Sequence, residues 1–513
     1  MNVDSSLYNE DLAPVPPEKR TWNMWNYAAL WVGMAVCIPS YMLAASLMES
    51  GMHWWQALLT IALGNCIVLI PMLLNAHVGT KYGIPFPVFL RSTFGIYGAN
   101  IPAVMRGLVA CGWFGIQTWI GGQAINKLLS IILESFNIAV PFNQSALPIL
   151  GITGFEFFSF MLFWAMNIYV ILKGMDSIKW LEIWAAPLLL IMGLALLVWG
   201  VSTAGGFGVI FSEEAVNAVR GNSKDFNFWK IFFPSLTGMV GFWSTVSLNI
   251  PDFTRFARSQ KDQIIGQAIS LPATMTLFSF IGIAVTASTV VIFGEAIWDP
   301  VALLDKFESP VVVGIALIGL LLATLSTNIA ANVVSPANDF SNLKPDKISF
   351  KMGGLLTGIL GIVIMPWRLM SDLGAFIFTW LIGYSALLGA IGGTMIADYF
   401  FIRRRVLHVE ELYKINGEYS YNAHGINWRA LSAVFAGILP NIPGFLHAAS
   451  DGAIAASPFF QELYTYAWFV SFTLSGSIHL LLHWIFVSSK EAEIEEVPVQ
   501  LTSDKPTTMQ RRP

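Results

Sequence analysis

Apolar residues in this 513-residue chain gather into runs of roughly twenty, far longer than a buried strand of about eight, and short polar loops separate them. A helix of roughly twenty apolar residues crosses about 30 Å of hydrocarbon while satisfying its own backbone groups, so such runs read as membrane-spanning helices. Twelve can be drawn, at 27–48, 54–75, 101–131, 153–172, 180–201, 231–250, 265–293, 311–334, 354–367, 373–397, 429–447 and 464–487. The pattern predicts an all-α polytopic membrane protein with 12 transmembrane helices.

Two of these spans carry helix-breaking residues near their middles. Span 1 contains Gly33 and Pro39, and span 6 contains Pro234, Gly238 and Gly241. Proline removes a backbone donor and frees carbonyls one turn earlier. Broken helices five spans apart point to an inverted-repeat transporter with its site near the bilayer midplane. Spans 1–5 and 6–10 then form the repeats, and the last two are additions.

Two indoles also stand near mid-span, although tryptophan prefers the headgroup level of a bilayer. Trp113 lies between Gly112 and Gly115 with Gln117 following, and Trp243 follows Gly238 and Gly241. Trp113 and Gln117 are four apart and share a helix face. A flat heterocycle can stack on Trp113 while the Gln117 carboxamide, with two donors and an acceptor, pairs with its amide edge. Trp243 would close the opposite face. Stacking contributes about 0.5–1.5 kcal/mol per aromatic pair beyond area burial, enough to orient a ligand that must also leave.

Composition narrows the picture. Hydrophobic residues make up 55% of the chain and charged ones 12%, about half the charged share of a soluble domain. The net charge of −4 is spread over loops and gives no reason to expect a nucleic-acid partner. Cys37, Cys66 and Cys111 fall in predicted spans without disulfide or metal-ligand spacing. Residues 1–22 lack a basic start and an apolar core, so no signal peptide is expected and the first span serves for insertion. Most of the 28 Lys and Arg residues fall on one side of the spans, leaving Lys127, Arg220, Lys224, Lys230, Lys306 and Arg368 on the other. The positive-inside rule then puts both termini in the cytoplasm and the protein in the plasma, or inner, membrane.

The expected organisation is a cytoplasmic tail at 1–26, a first repeat at 27–201, an extracellular loop at 202–230 and a second repeat at 231–397. A cytoplasmic loop and the last two spans follow at 398–487, then a tail at 488–513 rich in Glu, Lys, Pro, Ser and Thr and expected to be disordered. Both tails are expected to fray.

Several longer strings carry a resemblance. They are Asn9-Glu10-Asp11-Leu12 with Lys19-Arg20-Thr21-Trp22, Gly79-Thr80-Lys81-Tyr82-Gly83-Ile84-Pro85-Phe86-Pro87, and Trp113-Phe114-Gly115-Ile116-Gln117-Thr118-Trp119. Asn249-Ile250-Pro251-Asp252-Phe253-Thr254-Arg255 and Ala323-Thr324-Leu325-Ser326-Thr327-Asn328-Ile329-Ala330-Ala331-Asn332 complete the set. From about residue 9 to about residue 430 the chain resembles the nucleobase:cation symporter family. The resemblance implies a leucine-transporter-like fold of two five-helix inverted repeats, and uptake of nucleobases, hydantoins, allantoin or related compounds coupled to Na+ or H+.

It also implies residues. Trp113, Gln117, Trp243 and Asn332 match substrate-contact positions of the family's hydantoin carrier, whereas Cys37 stands where that carrier has glutamine. The hydrogen-bond set beside Cys37 therefore differs, and the strings at 38–47 and 52–56 look closer to carriers of uracil and purines. Backbone carbonyls of Gly33, Val36 and Ala323 with the hydroxyls of Ser326 and Thr327 match the family's sodium site. Such hydroxyls can instead bond back to their own helix.

Other polar residues in or near the spans invite plainer readings. Asp252 lies near Arg255 and Arg258, and Asp398 precedes Arg403, so both are expected to be ion-paired at the cytoplasmic boundary rather than to carry protons. His479 and His483 are four apart on one helix but lack a third ligand, which favours packing over a metal. No nucleophile motif argues for an intramembrane enzyme and no filter-like repeat for a channel. No cofactor and no obligate protein partner is inferred; the partners expected are a small heterocycle, a coupling ion and the bilayer.

Overall fold

The computed structural model describes residues 3–143, 145–173, 175–220, 226–370 and 379–486. Its principal helices are α1 (Met24–Ala35), α2 (Ile38–Glu49), α3 (Trp54–Tyr82), α4 (Phe86–Phe94), α5 (Asn100–Ser135), α6 (Gly154–Lys173), α7 (Met175–Ala204) and α8 (Phe228–Phe242). They continue as α9 (Ser244–Asn249), α10 (Gln260–Phe293), α11 (Pro310–Asn332), α12 (Val334–Leu343), α13 (Phe350–Val363), α14 (Ile382–Ile396), α15 (Trp428–Ile438) and α16 (Ala467–Phe486). Among the described residues, seven helices or helix pairs are long and apolar enough to cross a membrane, and eight if the bent pair α1–α2 is one span. The remaining predicted spans also fall on helix, but on pieces that miss that criterion. In α5 the apolar character is diluted by glycine, tryptophan and glutamine, residues that suit a helix facing a site. Residues 373–378 of predicted span 10 and the tail at 488–513 lie outside the described residues.

The first break is sharp. The axes of α1 and α2 differ by 60°, and the link is the pair Val36 (φ −81°, ψ 78°) and extended Cys37 (φ −141°, ψ 160°). Pro39 does not sit at the break. It occupies the first turn of α2, where a missing N–H costs nothing because that donor has no intrahelical partner.

The second break lies later than the sequence suggests. Pro234, Gly238 and Gly241 are all inside the continuous helix α8, which stops at Phe242, and the non-helical residue is Trp243 itself (φ −102°, ψ 6°). A third interruption, at Val333, separates α11 from α12.

Helix α1 packs on α10, α5 on α11, and α3 on both α8 and α10, so both breaks are enclosed by other helices. The N-terminal segment is not frayed as expected. Leu7, Leu12 and Val15 are buried, and the backbone N–H groups of Asp4 and Val15 donate to Tyr413 O and Gly83 O. Asn9 donates to Ser341 Oγ, and Asp11 O accepts from Arg255 Nη1. Arg91 on α4 is the hub: its guanidinium, fully buried, donates to Leu7 O, Leu412 O and twice to Asn342 Oδ1. A strap of residues 4–22 thus joins elements on both sides of the sequence midpoint at the α4 end of the bundle.

Candidate functional site

The two breaks meet at one small cavity. Met34, Cys37, Trp113, Gln117, Trp243 and Asn332 line it, together with Phe242 and Thr327. All five side chains singled out for the ligand are therefore brought together, from α1–α2, α5, the α8–α9 link and α11. Each is at least nine-tenths buried.

Aromatic edges fill the cavity. Phe242 meets Trp113 edge-on at 5.0 Å and Trp243 at 5.2 Å, and Trp31 meets Trp243 at 5.1 Å. The volume left is about 20 Å³. A cavity holds one water once it reaches about 10–15 Å³, so this space is several times too small for a heterocycle. In this arrangement the site has no room for one.

Two polar atoms lining the cavity find no partner: the acceptor Gln117 Oε1 and the donor Trp243 Nε1. The Cys37 thiol lies 3.2 Å from Ser40 Oγ. Asn332 Nδ2 donates to Asn328 Oδ1 at 3.0 Å, and Asn328 Nδ2 in turn reaches Thr118 Oγ1 at 3.2 Å and Asn167 Oδ1 at 3.1 Å. That amide ladder fixes Asn332 from behind.

The residues proposed for the ion are less completely assembled. Where α1 ends, Cys37 N–H turns to Ala35 O, and Gly33 O accepts from Thr327 Oγ1 at 3.1 Å instead. Thr327 therefore bonds across to the broken helix rather than back to its own. Ala323 and Ser326 are buried on the same helix, α11, and Val36 is the residue at the break.

Some polar expectations need correction. Asp252 is not ion-paired within 4 Å; its Oδ1 accepts from Phe86 N at 2.8 Å and its Oδ2 has no partner. Asp398 is paired, with Arg403 Nε at 2.8 Å, and His479 Nε2 lies 3.2 Å from its Oδ1. A fully buried pair, Arg106 with Asp339 at 3.0 Å, joins α5 to α12 and was not anticipated. Among the described residues no group of three His, Cys, Asp or Glu side chains could hold a metal. A larger cavity of about 710 Å³ opens beside Asp398, Arg403, His408 and His483, but none of the expected ligand residues reaches it.

Sequence reasoning missed two contributors. Phe242, which touches both indoles, directly precedes Trp243, so its position was a usable signal. Tyr384, which accepts from Trp113 Nε1 at 3.2 Å, carries no local pattern that marks it.

Broken helices around a midspan cavity, in a bundle of membrane-length helices, define a multi-pass membrane transporter rather than an enzyme. Residues 14–471 match the family described as permeases for cytosine/purines, uracil, thiamine and allantoin, and the chain belongs to that family, the nucleobase cation symporters. Relatives include a purine-uracil permease of Arabidopsis thaliana, 46% identical over 94% of this chain and 78% of the relative. An allantoin permease of Bacillus subtilis is 42% identical over 93% of both chains. Among solved structures, the nucleobase-cation-symport-1 family transporter Mhp1, closed with bromovinylhydantoin bound, is 26% identical with a TM-score of 0.73, covering 96% of this chain and 99% of that one. A Na+-coupled sialic acid symporter, 14% identical, shares the fold with a TM-score of 0.58 over 92% of this chain and 91% of its own. The architecture is thus the inverted-repeat transporter fold.

Proposed function

We propose that this chain is a cation-coupled symporter that takes up a planar nitrogen heterocycle: in the first place a nucleobase such as uracil or a purine, with allantoin or a hydantoin as the alternative substrate. The observation that carries the reading is the buried cavity at the two breaks, where indoles flank an unpaired amide oxygen and an unpaired indole N–H. The names of the relatives, a purine-uracil permease and an allantoin permease, support both substrate classes.

In this reading Trp113 and Trp243 hold the ring faces, Gln117 and Asn332 read its edge, and Cys37 sets the side on which substrates differ. The coupling ion is Na+ or H+. Carbonyls of Gly33, Val36 and Ala323 and hydroxyls of Ser326 and Thr327 are the oxygen ligands for Na+, and the Thr327–Gly33 hydrogen bond supports that grouping. Thr327 also lines the ligand cavity. Ion binding at the end of α1 therefore acts on the same wall that the heterocycle touches, which is a physical route to coupling. The repeats are residues 27–201 and 231–397, the α4 end faces the cytoplasm with both termini, and the membrane is the plasma, or inner, membrane.

Radiolabelled uptake against uracil, cytosine, adenine, guanine, allantoin and hydantoins, with and without Na+ and with a protonophore, tests the reading. Saturable uptake of at least one ring is expected, and failure on the whole panel would overturn it. Loss without Na+ assigns sodium, whereas indifference to Na+ with collapse under the protonophore assigns protons.

A further inference from the structure

Tyr384 belongs to α14 and to neither broken helix, yet it ties both walls of the cavity together. Its buried hydroxyl accepts from Trp113 Nε1 at 3.2 Å and donates to Gly241 O at 2.9 Å. Gly241 lies in the last turn of α8, where its carbonyl accepts the Trp243 backbone N–H and takes the Tyr384 hydroxyl as a second donor. The same hydroxyl thus orients one indole of the site and caps the helix that ends beside the other.

The surrounding packing makes that position exacting. A Cβ built at Gly241 would fall 2.7 Å from Leu381 O, and one at Gly112 would overlap the Trp380 indole. Only glycines at these two places let the start of α14 lie directly on α8 and α5. Trp380 stacks edge-on against Tyr384 at 5.1 Å, which limits how the phenol can swing.

The two cavity indoles consequently differ. Trp113 donates its N–H to Tyr384, whereas the N–H of Trp243 has no partner. Because the cavity of about 20 Å³ cannot admit a heterocycle, helices around it must part for entry and close again. The Tyr384 bonds are made where α5, α8 and α14 meet.

We infer that Tyr384 is a positioning residue for substrate: its two hydrogen bonds hold the Trp113 indole and the α8 terminus in the closed arrangement, so that it sets how long a bound heterocycle stays. This rests on the cavity being the substrate site. Tyr384→Phe keeps the ring and removes both bonds, and their loss together weakens the closed state by about tenfold.

The test uses purified full-length protein in proteoliposomes, with radiolabelled uracil and allantoin as probes. Y384F should raise KM and the dissociation rate of the bound probe about tenfold, with association and maximal rate within about twofold of wild type. A purely structural role would lower the number of binding sites and the maximal rate instead. Gly241→Ala, which pushes α14 off α8 without touching the hydroxyl, should speed dissociation in the same direction. Wild-type KM and dissociation in Y384F, or in G241A should Y384F not reach the membrane, would overturn the inference while leaving the transport reading intact. Wild-type protein that binds neither probe nor any ring of the uptake panel would overturn both.

Discussion

Arg91→Met is the sharpest test of the strap that closes the α4 end. The wild-type side chain is fully buried and makes four hydrogen bonds, at 2.8 Å to Leu7 O, 3.0 Å to Leu412 O, and 3.1 and 2.7 Å to Asn342 Oδ1. Methionine keeps the apolar stem and removes every donor. Three acceptors are then left buried and unpaired, at about 1–3 kcal/mol each, or roughly 3–9 kcal/mol together. Releasing residues 4–12 to water relieves part of that penalty but exposes Leu7 and Leu12, at about 1.5–3 kcal/mol each. The two costs are of the same size, so local release of the strap competes with leaving the acceptors buried, and global unfolding is not required.

The assay is amide hydrogen exchange of the purified protein. In the wild type the N–H groups of Asp4, Leu12 and Val15 are held by Tyr413 O, Asn9 Oδ1 and Gly83 O and should be protected. A loss of about 3 kcal/mol at the strap corresponds to roughly a hundredfold faster exchange there, with the amides of α10 and α11 unaffected. Protection in R91M within threefold of wild type would refute the reasoning, because it would mean that the four bonds do not hold the segment.

Other outcomes follow from the site. Trp113→Ala and Trp243→Ala should each abolish saturable uptake while membrane insertion, followed by quantitative blotting, stays normal; full uptake by either would remove the stacking role. Thr327→Ala should weaken the apparent Na+ affinity about tenfold if sodium drives uptake, since one oxygen ligand and the bond to Gly33 O are lost together. An unchanged Na+ response in a Na+-driven wild type would show that Thr327 is not a ligand.

What the sequence made legible follows from how far each constraint acts. Lipid forces every spanning segment to satisfy its own backbone, so among the described residues the predicted spans fall on helix apart from their ends, the breaks at Val36–Cys37, Trp243 and Val333, and the turn at Ile364–Met365. That Trp113 and Gln117 face one cavity was legible because an i, i+4 pair on one helix needs no knowledge of its surroundings. Pro39 pointed to the first break within three residues, since a proline in the first turn marks a helix start. Pro234 misled for the complementary reason: neighbouring helices tolerate a proline inside a membrane helix, and α8 runs through it. The strap could not be read at all. Leu7, Leu12 and Val15 have no period, and their partners, Arg91, Tyr413 and Asn342, lie tens to hundreds of residues away. Tyr384 is one tyrosine among 13, and only the crossing of three helices gives it a role.

If the small cavity is the substrate site, its unpaired atoms predict which rings it should prefer. Gln117 Oε1 is a buried acceptor without a donor, and Trp243 Nε1 is a buried donor without an acceptor. Each leaves about 1–3 kcal/mol uncompensated, a cost the protein carries whenever the site is closed and empty. A ligand that presents an N–H along its edge supplies the donor that Gln117 Oε1 lacks, as uracil, purines such as guanine, allantoin and hydantoins all do. A ring of similar outline with only C–H edges does not, and sites built around such polar groups reject it strongly. Fluorobenzene should therefore fail to inhibit uptake of the transported ring at a hundredfold excess, while 2-pyridone, with one N–H beside one C=O, should compete. Equal competition by the two would mean that stacking on Trp113 and Trp243 alone selects the ligand. The unpaired atoms would then have to be satisfied by water in the open state, and the amide edge would carry no specificity.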